Sequence, residues 1–272
     1  MASAFAQRGV TVEQAETTRP GEEATLAEGA IARGIRTIVA VGGDGTWSNV
    51  AGAILRSGQP VKLGLIPAGT GSDLAKSLGI PANDVPACVD IVRAGRTRAI
   101  DVGRVEDRYF LNVAGFGYDV AVLEDTKKVG WLSGSLLYVY CALRQVRSFP
   151  GFSVEMEVDG ERSRRDLLML IVANGAIFGG GFRIAPGASV DDGTLDLVGF
   201  RNIGAWKRLK LMAQLRRGTH EQARETERIA VRAFRLRFDQ PPTYEIDGEW
   251  NKAASAEVDI CLTPAALRVL VP

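Results

Sequence analysis

The sequence predicts an α/β domain, a parallel sheet flanked by helices, followed by a mostly antiparallel β domain. Three observations carry this prediction. The first third alternates short apolar runs with helical segments, and glycine-rich turns join strand to helix. From about residue 98 apolar and polar residues alternate instead, as in half-buried strands closed by hairpins. Between the two patterns, Gly95 ends the last helix of the first. The expected domains are residues 1–97 and 98–272, with the last strand free to return to the first domain.

The elements follow in order. Ile35 to Val41 reads as a fully buried strand, and Thr46 to Ser57 then takes up helical periodicity. Val61 to Ile66 is a second buried strand. Ser72 to Leu78 opens the next helix, with Ser72 or Asp73 available as its N-cap. Asp84 to Ala94 adds another helix. In the second domain Phe152, Val154, Met156 and Val158 alternate with Ser153, Glu155 and Glu157, and Asp159-Gly160 supplies a hairpin turn. Leu167–Val172, Leu195–Phe200, Phe234–Phe238 and Glu257–Leu262 read as further strands. Helices are expected from about Ser133 to Arg147 and from Ala205 to Arg217. The apolar residues around Leu136 to Leu143 are expected to pack in the core rather than to contact acyl chains. The basic 205–217 segment is expected to be a solvated helix packed on the β domain rather than a lipid-docking one.

Composition narrows the function. The formal net charge is +1, so nothing global favours a nucleic-acid partner. Cys88, Cys141 and Cys261 are far apart and form no metal or disulfide spacing, which fits a reducing cytosol. The lone His220 is expected at the surface, which argues against chemistry built on a histidine dyad. No signal peptide opens the chain. The longest uncharged apolar stretch, Trp131 to Leu143, is shorter than the roughly 20 residues of a membrane span, so membrane contact would be peripheral.

The chemistry concentrates in two loops. Gly42-Gly43-Asp44-Gly45-Thr46 follows one strand and leads into a helix, where backbone N–H groups can approach phosphate oxygens. Asp44 would repel a bare phosphate but suits one that arrives with Mg²⁺. Pro67-Ala68-Gly69-Thr70-Gly71-Ser72-Asp73 repeats the arrangement after the next strand. Both loops fall at the carboxyl ends of neighbouring parallel strands, where open α/β sheets bind ligands. Neither is a P-loop, since no Gly-Lys-Ser/Thr follows. Neither is a dinucleotide fingerprint, since Leu74 stands where the third glycine is required.

The GGDGT loop followed by IPAGTGSDLAKSLGIP resembles the diacylglycerol kinase catalytic family, which includes bacterial lipid kinases and sphingosine and ceramide kinases. Further matches are Ile100-Asp101-Val102-Gly103, the segment Phe110 to Gly117, the acidic turn Ala185 to Asp196, and Asp247-Gly248-Glu249. The resemblance implies an α/β nucleotide domain followed by a β-sandwich. It also implies an ATP site lined by Thr18, Gly42, Gly43, Asp44, Gly45, Thr46, Gly69 and Thr70. Asp44, Asp73 and Asp101 would belong to the acidic network that holds the catalytic Mg²⁺, partly through water, and Glu249 would take the proton of a lipid hydroxyl. A separate structural Mg²⁺ would be bound by the Asp192 side chain and the Ser189 and Thr194 carbonyl oxygens. The partner would be a lipid, such as diacylglycerol, presented at the inner face of a membrane, and a homodimer is compatible with the family.

The sequence departs from the family in two respects. Its start corresponds to a point after the Asn-Pro-x-x-Gly-type loop, so the first strand is expected to be missing. Ser72 stands where asparagine is common, and Trp47-Ser48-Asn49 where Leu-Asn-Glu is frequent. Two other readings stay open. NAD kinase shares the GGDGT loop and the layout, and a non-catalytic nucleotide- or lipid-binding relative would share the fold.

Overall fold

Two helices, Ala2–Ala6 (α1) and Glu22–Ala32 (α2), precede the first strand in the computed structural model, which describes residues 1–19, 21–69, 71–132 and 134–272. Thr37–Gly42 (β1) leads through a glycine turn into Asp44–Ser57 (α3), and Lys62–Pro67 (β2) leads into the short Asp73–Ser77 (α4). β1 and β2 pair in parallel from Thr37↔Lys62 to Gly42↔Pro67. Their two loops therefore emerge side by side at one end of the sheet. Val85–Ala94 (α5) starts on Asp84, whose side chain accepts from the Ala87 N–H, and ends at Gly95 in the left-handed region. A core of Trp47, Ile54, Leu63, Ile66, Val89 and their neighbours fills the space between these helices and the sheet.

Thr97–Val105 (β3), Arg108–Phe110 (β4) and Val113–Gly117 (β5) open the second half, followed by the helices Tyr118–Thr126 (α6) and Gly134–Ser148 (α7). Phe152–Val158 (β6), Glu161–Ala173 (β7) and Leu195–Arg201 (β8) come next, then Ala205–Arg217 (α8). Thr226–Val231 (β9), Ala233–Arg237 (β10), Thr243–Ile246 (β11), Glu249–Lys252 (β12) and Glu257–Leu270 (β13) complete the chain. Strand burial follows from what covers each face. In β6 only Val154 and Met156 are buried, giving the alternation of a one-sided strand. In β7, Leu167 to Ala173 are all buried. Leu170 and Val172 join the core between the sheet layers, while Leu168, Met169 and Ile171 join the core under α6, α7 and α8.

β13 links the halves. It pairs antiparallel with β3 along its length, with β10 through Glu257 to Cys261, and in parallel with β2 at Arg268 and Val269. Between these stretches the register shifts at Thr263/Leu267, where Ala265 adopts φ +49°. The strand read from the sequence as Glu257–Leu262 thus continues through this bulge to Leu270.

Two sequence expectations are corrected. His220 is fully buried: its Nε2 meets the Ile184 carbonyl oxygen at 2.9 Å, its ring lies against Phe200, and burial lowers its pKa. Leu136, Val139, Tyr140 and Leu143 are exposed rather than packed in the core, because the opposite face of α7, with Leu137 and Cys141, turns inward.

Candidate active site

The glycine loops touch through their backbones. The Ala68 N–H donates to the Gly42 carbonyl oxygen at 2.9 Å. The point a Cβ would occupy at Gly69 lies 2.6 Å from the Gly43 Cα. Any larger residue at 69 would force the loops apart, so the close approach itself requires glycine. Behind this contact Trp47 is fully buried and donates its Nε1–H to the Ala40 carbonyl oxygen at 3.2 Å, fixing α3 to β1.

Asp44 crosses from one loop to the other. Its carboxylate accepts from the Asp73 N–H at 3.0 Å and the Leu74 N–H at 3.1 Å, so it caps α4 from outside. Ser72, at the cap position with φ +51°, makes no capping bond. Burial raises the Asp44 pKa, against the pull of those two amides. Asp73 is buried and joined to Lys76 at 2.8 Å and to the Gly180 N–H of the second domain at 2.7 Å. Oxygens of Asp44 and Asp73 each lie 3.5 Å from the point a Cβ would occupy at Gly71, so the two acids face one spot.

Glu249 reaches this place from the second domain. Its Oε1 lies 2.6 Å from the point a Cβ would occupy at Gly45, so its carboxylate rests on the GGDG loop. Asn49 of α3 donates to it at 3.4 Å and also holds Glu23 of α2 at 2.8 Å. The carboxyl end is tucked into the cleft although the residue as a whole is exposed, and this burial raises its pKa. A groove of about 180 Å³ adjoins it, lined among others by Ser48, Arg108, Tyr109 and Asn251.

The turn that carries Glu249 is locked by Asp247, whose role the sequence did not reveal. Asp247 is buried at φ +47°. Its carboxylate accepts from the Leu111, Asn112 and Val113 N–H groups at 2.8, 3.1 and 2.8 Å and from the Ser48 hydroxyl. Burial pushes this carboxyl up to about 7, while its donors pull the other way. Next to it, Glu245 pairs in register with Gly115, over which Asp119 lies: its Oδ2 is 1.8 Å from the point a Cβ would occupy there. Glu245 accepts from the Gly248 N–H at 2.8 Å, but its other oxygen and both oxygens of Asp119 have no partner among the described residues. Burial and the neighbouring acid raise the Glu245 pKa, and burial raises that of Asp119 to about 7. The only sequence signal was the DGE turn, which reads locally as an ordinary hairpin.

Two of the expected residues are engaged in other contacts, and a third is not described. Asp101 makes no direct hydrogen bond to Asp44 or Asp73 among the described residues: its carboxylate accepts from the Gly193 N–H and the Ala265 N–H, each at 2.7 Å, binding the acidic turn to the β13 bulge. Thr18 directs its N–H and hydroxyl to Glu22, at 2.7 and 2.9 Å, rather than to either loop. Thr70 lies outside the described residues. Ser189, Asp192 and Thr194 do share one turn, where Asp192 accepts from the Thr194 N–H at 3.0 Å and hydroxyl at 2.9 Å. No group of three or more His, Cys, Asp or Glu side chains suited to a metal occurs among the described residues. The Asp44–Asp73 pair therefore fits Mg²⁺ arriving with phosphates, for which one or two carboxylates suffice, rather than an all-protein cage.

Comparison with known proteins bears on both halves. Residues 1–105 match the diacylglycerol kinase catalytic domain, and residues 112–271 match the YegS C-terminal NAD kinase beta sandwich-like domain. The chain is 30% identical to a diacylglycerol kinase of Mycobacterium tuberculosis, over 97% of this chain and 86% of that protein. It is 38% identical to a probable lipid kinase YegS-like protein of Pseudomonas putida, over 67% of this chain and 61% of that protein. A solved structure of a putative diacylglycerol kinase from Bacillus anthracis superposes with a TM-score of 0.81 at 20% identity, covering 100% of this chain and 88% of that one. This likeness shows the shared fold.

Proposed function

Because the chain belongs to the diacylglycerol kinase catalytic-domain family, we propose that it is an ATP-dependent lipid kinase that transfers the γ-phosphoryl group to a lipid hydroxyl, most simply that of diacylglycerol. The observation that carries this reading is the seat of the Glu249 carboxylate on the GGDG loop, across the boundary between the halves.

Phosphoryl transfer depends on positioning and on neutralising phosphate charge. Gly42 to Thr46 and Gly69 would present backbone N–H groups to the nucleotide phosphates. Asp44 and Asp73, facing one spot beside Gly71, would hold Mg²⁺, which when bound neutralises phosphate charge. Glu249 would accept the proton of the attacking hydroxyl. Burial in the cleft raises its pKa, which makes its carboxylate a stronger base than a solvated one. Asp247 and Ser48 hold the turn that aims it, and Asp101 supports the fold at β13. No helix among the described residues is long and apolar enough to cross a membrane, so the lipid would be met peripherally.

The test is transfer of labelled γ-phosphate from ATP to a panel holding diacylglycerol, sphingoid bases, ceramide, phosphatidylglycerol and NAD, with Asp44→Asn and Glu249→Gln alongside. The expected result is Mg²⁺-dependent transfer to a lipid. In Glu249→Gln, kcat should fall about 10²- to 10⁴-fold with ATP binding retained. Transfer to NAD alone, or ATP binding with no transfer to any acceptor, would overturn the reading.

A further inference from the structure

α7 carries an apolar stripe on the side it turns to solvent. Leu136, Val139, Tyr140 and Leu143 fall at i, i+3, i+4 and i+7 and are 70%, 54%, 39% and 50% exposed. The opposite face of the same helix, with Leu137 and Cys141, packs on the core, so the helix is apolar on both sides. Trp131, 72% exposed, meets Tyr140 edge to face at 5.4 Å and extends the stripe. Trp206, 86% exposed, lies in the first turn of α8, which meets the other end of α7. The next residue but one, Arg208, donates to the Val146 and Phe149 carbonyl oxygens at the end of α7, at 2.9 and 2.8 Å. A contiguous apolar surface of this kind on a folded chain marks a contact with something else.

Charge indicates what that is. The chain as a whole is balanced, with 33 Lys and Arg against 32 Asp and Glu. Yet neither 127–154 nor 202–220 contains a single aspartate or glutamate. Arg147 on α7 and Lys210, Arg216 and Arg217 on α8 are exposed. Two copies meeting through this face would bring like charges together, whereas an anionic bilayer would satisfy both its apolar and its cationic parts. Tryptophan and tyrosine are also the side chains that settle at the boundary between headgroups and acyl chains.

The chain leads from the site to the stripe. Trp250 follows Glu249 directly and donates Nε1–H to Glu124 of α6 at 2.8 Å, and the Lys127 Nζ stands 5.0 Å from the centre of the Trp250 ring. From Lys127 the chain runs through Trp131 into α7. We propose that the outer face of α7, with Trp131 and the start of α8, docks on an anionic lipid bilayer and so presents lipid hydroxyls to Glu249. The proposal rests on the lipid-kinase reading for its purpose, but the docking itself is separately measurable.

The experiment is vesicle flotation of the full chain with phosphatidylcholine alone and with phosphatidylcholine containing phosphatidylglycerol. The variants are Leu136→Glu/Leu143→Glu and Arg147→Glu/Lys210→Glu. The wild-type chain should float with the anionic vesicles and less with the neutral ones. Each double variant should bind at least about 10-fold more weakly, with an unchanged circular dichroism spectrum. Turnover of a short-chain diacylglycerol dissolved as monomer should stay within about twofold of wild type, since these positions lie away from the catalytic groups. A wild type that ignores anionic vesicles, or an apolar double variant that binds them as well as wild type, overturns the proposal. So does a variant that turns a dimer into a monomer while keeping vesicle binding, since the face would then join two copies. If docking behaves as expected and no lipid is phosphorylated, the docking stands and the kinase reading fails.

Discussion

Asp159-Gly160 and Asp247-Gly248 close two hairpins with nearly the same backbone, φ 51° and 83° in one and 47° and 87° in the other. Both join antiparallel strands, β6 to β7 and β11 to β12. The same dipeptide suits both because aspartate and glycine tolerate the left-handed region such a turn needs. There the likeness ends. Asp159 is exposed at the tip of its hairpin. Asp247 is buried, and its carboxylate gathers the amides of Leu111 to Val113 and the hydroxyl of Ser48, far away in sequence. Local chemistry decides that a turn forms; what the rest of the chain brings to it decides whether it does anything.

The largest effect should come from breaking that difference. Asp247→Ala leaves three buried amides without their acceptor and puts in the left-handed region a residue that lacks the polar side chain by which aspartate tolerates it. It should cost about 3–5 kcal/mol, read from urea unfolding, and transfer activity should fall even where the chain stays folded. A loss below about 1 kcal/mol would mean that the carboxylate is incidental to the turn.

This contrast also marks what was legible in the sequence. Ile35–Val41 and Val61–Ile66 announced β1 and β2 because a strand covered on both faces is apolar throughout. Phe152–Val158 announced β6 because one covered face imposes alternation. The pairing of the two glycine loops followed from parallel neighbours. The family resemblance brought Glu249 to the same place, and the structure seats it on Gly45. What stayed hidden depends on long-range contact. His220 looks polar among its sequence neighbours and is buried by Ile184 and Phe200. The α7 stripe has the spacing of a core helix, and only the fold shows that it faces outward. Asp101 matched a motif, yet its partners are Gly193 and Ala265.

A smaller effect should appear behind the Asp247 turn. Burial raises the Asp119 pKa to about 7, from the ordinary carboxylate value near 4, and neither of its oxygens has a partner among the described residues. A raised carboxyl favours the folded state below its unfolded pKa, and that contribution is lost as pH rises through the folded value. Asp119→Asn should therefore gain on wild type by up to about 4 kcal/mol between pH 4 and pH 8, measured as the difference in urea unfolding free energies. A difference that stays constant over this range would show that the pair with Glu245 does not ionise against burial.

Asp101 sharpens the comparison at the β13 bulge, because like Asp247 it is a buried acid that accepts from backbone amides. Asp101→Asn keeps one acceptor and should cost about 1–2 kcal/mol. The Mg²⁺ concentration giving half-maximal transfer should not change. An increase of about tenfold in that concentration would return Asp101 to the company of Asp44 and Asp73 as a metal-site residue.

The smallest effect belongs to the other turn. Asp159→Asn keeps a side chain that tolerates φ 51° and touches nothing buried, so stability should move by less than about 0.5 kcal/mol and transfer not at all. Asp159→Ala should cost about 1 kcal/mol, and that cost measures the left-handed backbone alone. The excess of Asp247→Ala over this figure then isolates what the carboxylate contributes through Leu111, Asn112, Val113 and Ser48. If the two alanine variants cost the same, the buried turn is held by its backbone, and the aim of Glu249 must come instead from Asn49 and the Gly45 surface it rests on.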